Sequence, residues 1–513
     1  MNVFGILDRS ARSHYGDRTA IEFDGRAVSF RALRDRALGL AAGLAREGVG
    51  RGDRVAVLMG NRHEWPEVFF GLAALGAVCV PVNALLTATE IGHICTDSDV
   101  ETLMVDGLGE RALSELNPLP SRIVRVGEVE VPSAVRAIDY ESLVSGVLRP
   151  GGDPQIFDPF VHYYSSGTTG LPKGAVHSHN GVLWNTAGQV RDLAIGERTR
   201  YLVVPSLAWA AGFHNVMLGA LWTGGTSVLM RTGGLTADRL VADIGASDIT
   251  DVMMVPSILR LLAAEPLLLD QLRASRLRRI LTGAEPVPLP LIEQLSEELP
   301  DCAVVQGYGL SEFPTIATLL QPEEARSHSG SAGRPLCHSD LQVLSAEGER
   351  LDSGTGELLI RSPATMLRYH NRPEESAQTL ADGWLHTGDL VTIDEAGFVT
   401  VVGRTKDLII SGGMNVYPKE VEDVIGRLTF VAEVAVVGIP DERFGEAAVA
   451  YVVATEGTTI DRAAIEATCA RALARYKRPA QVIAHDGPLP RNATGKVLKR
   501  ELRALARATL TSK

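Results

Sequence analysis

The chain has little of what usually announces a function. Its five cysteines (Cys79, Cys95, Cys302, Cys337, Cys469) are scattered over 513 residues with no CxxC pair. Such spacing argues against a zinc site or a disulfide framework, and a reducing, cytoplasmic setting is expected. No apolar stretch reaches the ~18 uninterrupted residues of a membrane span. Charged residues make up 22% and are dispersed, without a long run of either sign. The formal net charge of −12 argues against a nucleic-acid partner. The opening residues, MNVFGILDRSARSHYGD, carry acids early and no long apolar core, so no secretory signal is read there. The terminal Thr-Ser-Lys lacks the leucine of a peroxisomal signal. There is no internal repeat and no low-complexity tract. A chain this long is expected to divide into two to four structural units.

What is present is an alternation of two periods. Phe30, Leu33, Ala37, Leu40 and Leu44 recur at helical spacing behind Ser29, a residue suited to capping. Residues 54–59 (RVAVLM) read as a buried strand, 63–76 (HEWPEVFFGLAALG) as a helix and 77–83 (AVCVPVN) as another strand. Strand, helix, strand at this spacing implies a parallel sheet with right-handed crossovers. Thr87 and Glu90 are spaced as a capping box for the next helix. The pattern returns with strands at 201–206, 226–230, 251–257 and 278–285 and a helix near 213–222. The run 259–269 (LRLLAAEPLLL) reads as helix core. From 340 to 402 the segments LQVLS, GELLIRS and GFVTVVG read as short strands joined by glycine-rich turns. Beyond Arg404, two strands, an alanine-rich helix (462–475) and a last strand make a compact α+β unit. The expected class is α/β. The expected division is a large domain over 1–405 and a small one over 406–513, meeting at Lys406–Asp407.

One stretch belongs to neither period: YYSSGTTGLPKGAVHSH, 163–179. Ser165 to Leu171 hold four hydroxyls and two glycines, and Pro172, Lys173 and Gly174 follow. Glycines let main-chain N–H groups approach a ligand closely, hydroxyls add donors and a lysine adds a point charge. The stretch therefore reads as a polyphosphate cradle held between two strands. A flexible Gly/Ser/Thr linker is the plainer reading, but a linker has no use for a Pro-Lys-Gly ending between strand-like residues. The stretch fails the P-loop pattern, because Leu171 and Pro172 follow Gly170. His177 and His179 suggest a metal, yet further ligands are not evident, and a structural role beside the loop is expected.

Taken together, these motifs resemble the adenylate-forming superfamily of acyl-CoA synthetases, peptide-synthetase adenylation domains and firefly luciferases. The resemblance covers nearly the whole chain and keeps the family's motif order. Residues 163–174 match its phosphate loop. TGAEP (282–286) matches the adenine segment, QGYGLSE (306–312) the motif that usually ends Thr-Glu, and WLHTGDL (384–390) the ribose-binding segment. GRTKDLIISGGMNVYPKEVE (403–422) matches the hinge region, and PRNATGK (490–496) the C-terminal lysine motif. SGGMNVYPKEVE followed by GIPDERFGE looks most like carboxylic acid–CoA ligases. The resemblance implies two α/β subdomains plus a β-barrel-like piece, covered by a small mobile C-terminal domain. It also implies two steps: an acid and ATP give acyl-AMP and pyrophosphate, then CoA displaces AMP.

The resemblance also assigns roles. Ser165, Ser166, Gly167, Thr168, Thr169, Gly170 and Lys173 would hold the ATP phosphates. Glu312 would hold Mg²⁺, and Ser311, where the family usually has threonine, would donate to the α-phosphate. Gly283, Ala284, Glu285 and Tyr308 would surround the adenine. Asp389 and Arg404 would take the ribose. Lys496 would bridge the substrate carboxylate and the α-phosphate in the first step only. Lys406 would be the hinge, and Ser411, Gly412 and Gly413 would line the CoA channel. The acyl pocket would involve Trp209, Ala211, Gly307 and Gly309. Trp209 stands where many members have histidine, so it would shorten the pocket or gate it, or simply pack. The region also lacks the aspartate of amino-acid-activating members. Singly, Asp389 could be a turn residue, Glu312 a helix cap and Lys496 a tail lysine; it is their ordered co-occurrence that carries the reading. ATP, Mg²⁺ and CoA are thus the expected cofactor and co-substrates, a hydrophobic carboxylic acid the expected substrate, and a monomer or homodimer the expected state. Transfer to a carrier protein is the alternative. A non-catalytic binding protein on the same scaffold is a further one, opposed by the presence of Lys173, Glu312 and Lys496.

Overall fold

The protein is described by a computed structural model over residues 1–145, 154–165, 172–283, 285, 287–412, 414–441, 443–491 and 497–511. Among the described residues the strands form four sheets. The first runs Arg368–Tyr369, Lys173–Ser178, Pro159–Ser165, Val78–Pro81, Arg54–Leu58, Thr102–Val105, Arg122–Arg125, Arg136–Asp139. From Pro159–Ser165 to Arg136–Asp139 it is parallel, as the strand–helix–strand spacing predicts. The second sheet contains Asp251–Met253, Arg279–Gly283 and the hairpin Ala303–Leu310/Phe313–Leu320. The third is the antiparallel β-rich piece, ending in Leu385–Ile393 and Val399–Arg404. The fourth, built from 409–484, joins Ile409–Ser411, Met414–Val416, Val431–Asp441, Gly445–Ala454 and Gln481–Ala484.

Two features depart from the local pattern. Thr19–Phe23 and Arg26–Ser29 pair into the second sheet, Ile21 opposite Ser227, although the next strands in sequence build the first. The N-terminus thus clasps the two α/β halves together. The aliphatic run 259–269 is broken at Pro266 into Pro256–Ala263 and Pro266–Arg273. Leu259, Leu262, Leu268 and Leu269 are buried as expected, whereas Leu261 and Leu267 are exposed.

The helix Glu64–Leu75 lies at the centre. Acids occupy its first turn, complementing the helix dipole, and Gly76 closes it at φ 79°, a conformation glycine takes freely. Every residue of this helix is buried. Phe69 stacks on Phe213 (centroids 3.7 Å apart) and meets Phe160 edge-on at 4.6 Å, so residues from both halves share one core. Burial raises the Glu67 carboxyl, against the pull of Arg36 (Nε–Oε1 2.7 Å) and of the Tyr140 hydroxyl, which donates to Oε2 at 2.8 Å.

Four histidines are buried beside this core: His162, His177, His179 and His214. Burial lowers all four from the ordinary 6.5, to about 4 for His177 and His179, to about 3 for His214, and well below for His162. Each is neutral in the native state, whereas the unfolded chain binds a proton on each below about 6.5. Stability is therefore full above that pH and falls as the pH drops toward the native values. Each histidine contributes a slope of about 1.4 kcal/mol per pH unit. Glu67, with its raised carboxyl, opposes this by at most one proton. Urea unfolding at pH 7.5 and 5.5 is expected to give a clearly lower midpoint at 5.5, with net proton uptake on unfolding; equal midpoints would contradict it.

Candidate active site

The strands Pro159–Ser165 and Lys173–Ser178 are antiparallel with Ser165 opposite Lys173, so the two ends of the glycine-rich loop stand side by side. Ser166, Gly167, Thr168, Thr169 and Gly170 lie outside the described residues, as do Ala284, Gly413 and Lys496. Below the loop, the Tyr164 hydroxyl is 2.6 Å from Ser98 Oγ and donates to Asp97 Oδ2 at 2.8 Å. Asp97 in turn pairs with Arg372 at 2.8 Å. Hydrogen bonds thus fix this strand to the helix Ala88–Asp97, whose other end carries the Thr87–Glu90 capping box.

Lys173 meets Glu375, and its ammonium lies 5.6 Å from the centre of the Tyr369 ring. The Tyr369 hydroxyl donates to Glu312 Oε1 at 2.6 Å. Glu312 and Ser311 form the tight link of the hairpin Ala303–Leu310/Phe313–Leu320. The Ser311 carbonyl accepts from His177 Nε2 at 2.7 Å. Loop strand, hairpin tip and Tyr369 are thereby drawn to one place. Glu312 is half-buried, and the hydrogen bond from Tyr369 occupies its Oε1. A single carboxylate plus substrate phosphates is a donor set that suits Mg²⁺. No group of three metal-ligating side chains exists among the described residues, and His177 is held by its backbone contact instead.

Further along the same hairpin, the Tyr308 hydroxyl donates to Asp389 Oδ2 at 2.5 Å. Asp389 is 3% exposed, and its Oδ1 lies 2.6 Å from Arg404 Nε, its partner across the strands. The pair expected at the ribose is thus adjacent, and Tyr308 is tied to it through its hydroxyl. Gly283 lies opposite Gly307 on parallel strands, so close that a Cβ on Gly283 would sit 2.3 Å from the Gly307 carbonyl oxygen. The Glu285 carboxylate pairs with Arg260 at 3.0 Å. Half-buried Trp209 precedes the helix Ala210–Phe213, and Ala211 is half-buried on it.

The turn Thr405–Asp407 leaves this site for the fourth sheet. Arg404 before it is bound to Asp389, and Asp407 at its end is bound to Arg503 at 2.6 Å. Partial desolvation pushes Lys406 down to about 8, with Arg404 and Arg503 adding to the effect and Asp407 opposing it. Ser411 ends the first short strand of the small unit, and the N–H of Gly412 just beyond it donates to Phe444 O at 2.7 Å. Arg491 and Val497 bridge antiparallel at either side of 492–496.

Sequence reasoning missed Tyr369 and Glu375. Both lie in RYHNRPEES, where a two-residue strand and a short helix leave no periodic signal. The contact of His177 with Ser311 was likewise invisible, because it spans 134 residues.

The family model described as AMP-binding enzyme matches residues 7–370, and that of the AMP-binding enzyme C-terminal domain matches 420–496. The chain is 36% identical over 511 residues to an indoleacetate–CoA ligase of Aromatoleum aromaticum, covering 98% of each. It is 35% identical to the fatty acid–[acyl-carrier-protein] ligase ScoC of Streptomyces coeruleorubidus, over 96% of this chain and 94% of that one. The structure is similar, with a TM-score of 0.82 and 28% identity, to O-succinylbenzoate coenzyme A synthetase from Bacillus subtilis in complex with ATP and magnesium ion, covering 97% and 99% of the two chains. The chain belongs to the AMP-binding enzyme family, in its adenylate-forming acyl-CoA synthetase branch.

Proposed function

We propose that the chain activates a hydrophobic carboxylic acid as acyl-AMP, releasing pyrophosphate, and then passes the acyl group to CoA with loss of AMP. The observation that supports this reading is the convergence of Lys173, Ser311–Glu312 and Asp389–Arg404–Tyr308 on one hairpin and the two strands beside it. A carboxylate is a poor electrophile because its leaving group would be an oxide. Attack by that oxygen on the α-phosphorus turns it into part of a leaving group, AMP. The two anions must first be aligned and their charge offset.

In this assignment the loop from Ser165 to Gly170 wraps the β- and γ-phosphates, and Lys173 exchanges Glu375 for a phosphate oxygen. Ser311 donates to the α-phosphate. Glu312 would hold Mg²⁺, which would supply charge neutralisation to the phosphates. Asp389 accepts the ribose hydroxyls, Arg404 steadies it, and Tyr308 with Gly283, Ala284 and Glu285 bounds the adenine. Trp209, Ala211, Gly307 and Gly309 bound the acyl chain. Lys496 would bridge the substrate carboxylate and the α-phosphate in the first step only. Rotation at Lys406 then removes it and brings in Ser411, Gly412 and Gly413 as a channel narrow enough for the pantetheine arm. The pinning of Arg404 on one side and Asp407 on the other supports a pivot between them.

The 35% identical carrier-protein ligase favours a second reading, in which a carrier protein replaces CoA as acceptor. Pyrophosphate release across short, medium, long, aromatic and alicyclic acids, followed by CoA or carrier protein, tests both. Acid-dependent release with acyl-CoA formed is expected; acyl-AMP that CoA never accepts would favour the carrier protein, and no release with any acid would overturn both.

Lys496→Ala is expected to lower adenylate formation by ~100-fold or more. It should leave thioester formation from supplied acyl-AMP within a few-fold. Equal loss of both steps would contradict the role of Lys496. Lys406→Pro stiffens the turn. Thioester formation from supplied acyl-AMP should fall about 10-fold or more, while pyrophosphate release changes little. Unchanged thioester formation would place the pivot elsewhere.

A further inference from the structure

Behind the proposed acyl pocket lies a polar group without a partner. His214 is 1% exposed, and neither Nδ1 nor Nε2 has a hydrogen-bond partner among the described residues. A neutral imidazole carries one donor and one acceptor, and buried polar atoms are rarely left unpaired without a reason. The ring is enclosed by Tyr163 (centroids 5.2 Å apart, edge-on), Phe69 (5.7 Å, edge-on) and Phe213 (6.2 Å). The Tyr163 hydroxyl and His177 Nδ1 are also unpartnered. Three side chains thus leave four polar atoms without partners inside an aromatic enclosure.

Its position ties it to the acyl pocket. His214 directly follows the helix Ala210–Phe213 and donates its N–H to Ala210 O at 2.8 Å, one residue from both Trp209 and Ala211. The next residue, Asn215, is bonded through Oδ1 to the Thr315 hydroxyl. The Thr315 carbonyl lies directly against Gly309, where a Cβ would overlap it. The segment is also held under strain. Val216, a β-branched residue, has φ 63°, and its N–H is fixed by Gln189 Oε1 at 2.9 Å. Strain of this kind persists where the surroundings over-determine a geometry that a site requires.

We propose that His214 reads one uncharged hydrogen-bonding group, a hydroxyl, carbonyl or ring N–H, on the part of the acid remote from its carboxylate. This rests on the acyl-pocket reading above. It narrows the substrate to an acid bearing one such group. Burial and the neighbouring His177 keep the imidazole neutral, so it offers no counter-ion to a second carboxylate.

The test uses the full chain with ATP, Mg²⁺ and CoA, and matched acids differing in one group. Suitable pairs are 3-(4-hydroxyphenyl)propanoate against 3-phenylpropanoate, 4-oxocyclohexanecarboxylate against cyclohexanecarboxylate, and indole-3-acetate against 1-naphthylacetate, with octanoate as an alkyl reference. In at least one pair the polar member should have a kcat/KM higher by roughly 100-fold, because a site built to bond a group rejects the analogue that lacks it. His214→Phe keeps the ring contacts and removes both nitrogens; it should bring that ratio near one without lowering Tm. His214→Asn, which keeps a donor and an acceptor, should retain part of the preference and serves if the phenylalanine variant does not fold. Ratios near one in the unaltered protein, or a ratio that survives His214→Phe, would overturn the proposal while leaving the ligase reading intact. Absence of pyrophosphate release with every acid, octanoate included, would instead overturn the ligase reading and this inference with it.

Discussion

The carboxylate of Asp389 is where three parts of the chain meet. It stands on the third sheet, receives Tyr308 from the second, and grips Arg404, the last strand residue before the turn into the fourth. At 3% exposure it has little water to fall back on, so both partners are needed to offset its desolvation. Much of the site's geometry follows. Tyr308 fixes the hairpin whose tip holds Ser311 and Glu312. Arg404 fixes the point from which the small unit departs. The first sheet enters through His177 and Tyr369, which hold the hairpin tip beside Lys173.

The parts of the fold that sequence made legible are those whose cause is local. The strand Arg54–Leu58, the helix Glu64–Leu75 and the caps at Ser29 and Thr87 follow from short apolar bursts, a glycine stop and side-chain oxygens at the right offset. What stayed hidden depends on partners far along the chain. Nothing near Ile21 says that Ser227 will lie opposite it. Nothing near Tyr369 says that its hydroxyl will reach Glu312. The candidate site residues were read on another ground: loop chemistry and ordered motifs single them out where periodicity does not. Even so, the pairing of Lys173 with Glu375 needed coordinates, since the helix Pro373–Thr379 is too short to present a face.

The interior is more polar than the composition suggests. Beyond the histidines, Asn185, Gln189 and Asn215 are buried between the helix His179–Asp192 and the strand Phe313–Leu320. Asn185 donates to Ile316 O and accepts from both Gln189 and Thr315. An apolar filling would pack this seam as well, but it would not fix the register between helix and strand. Fully bonded networks of this type specify one arrangement and tolerate little drift. That rigidity sits directly behind the segment from Trp209 to Val216, where the acid is proposed to lie.

The turn at 405–407 has a consequence of its own. With Arg404 fastened at one end and Asp407 at the other, there is no slack to share among several residues. A long linker would let the small unit wander through a volume; on the pivot proposed above, so short a tether would restrict it to an arc. With that pivot, finding the site would become a search in one or two angles, at a high effective concentration of the small unit near the hairpin. The proposed alternation between two chemistries at one site would then require only a short, guided swing.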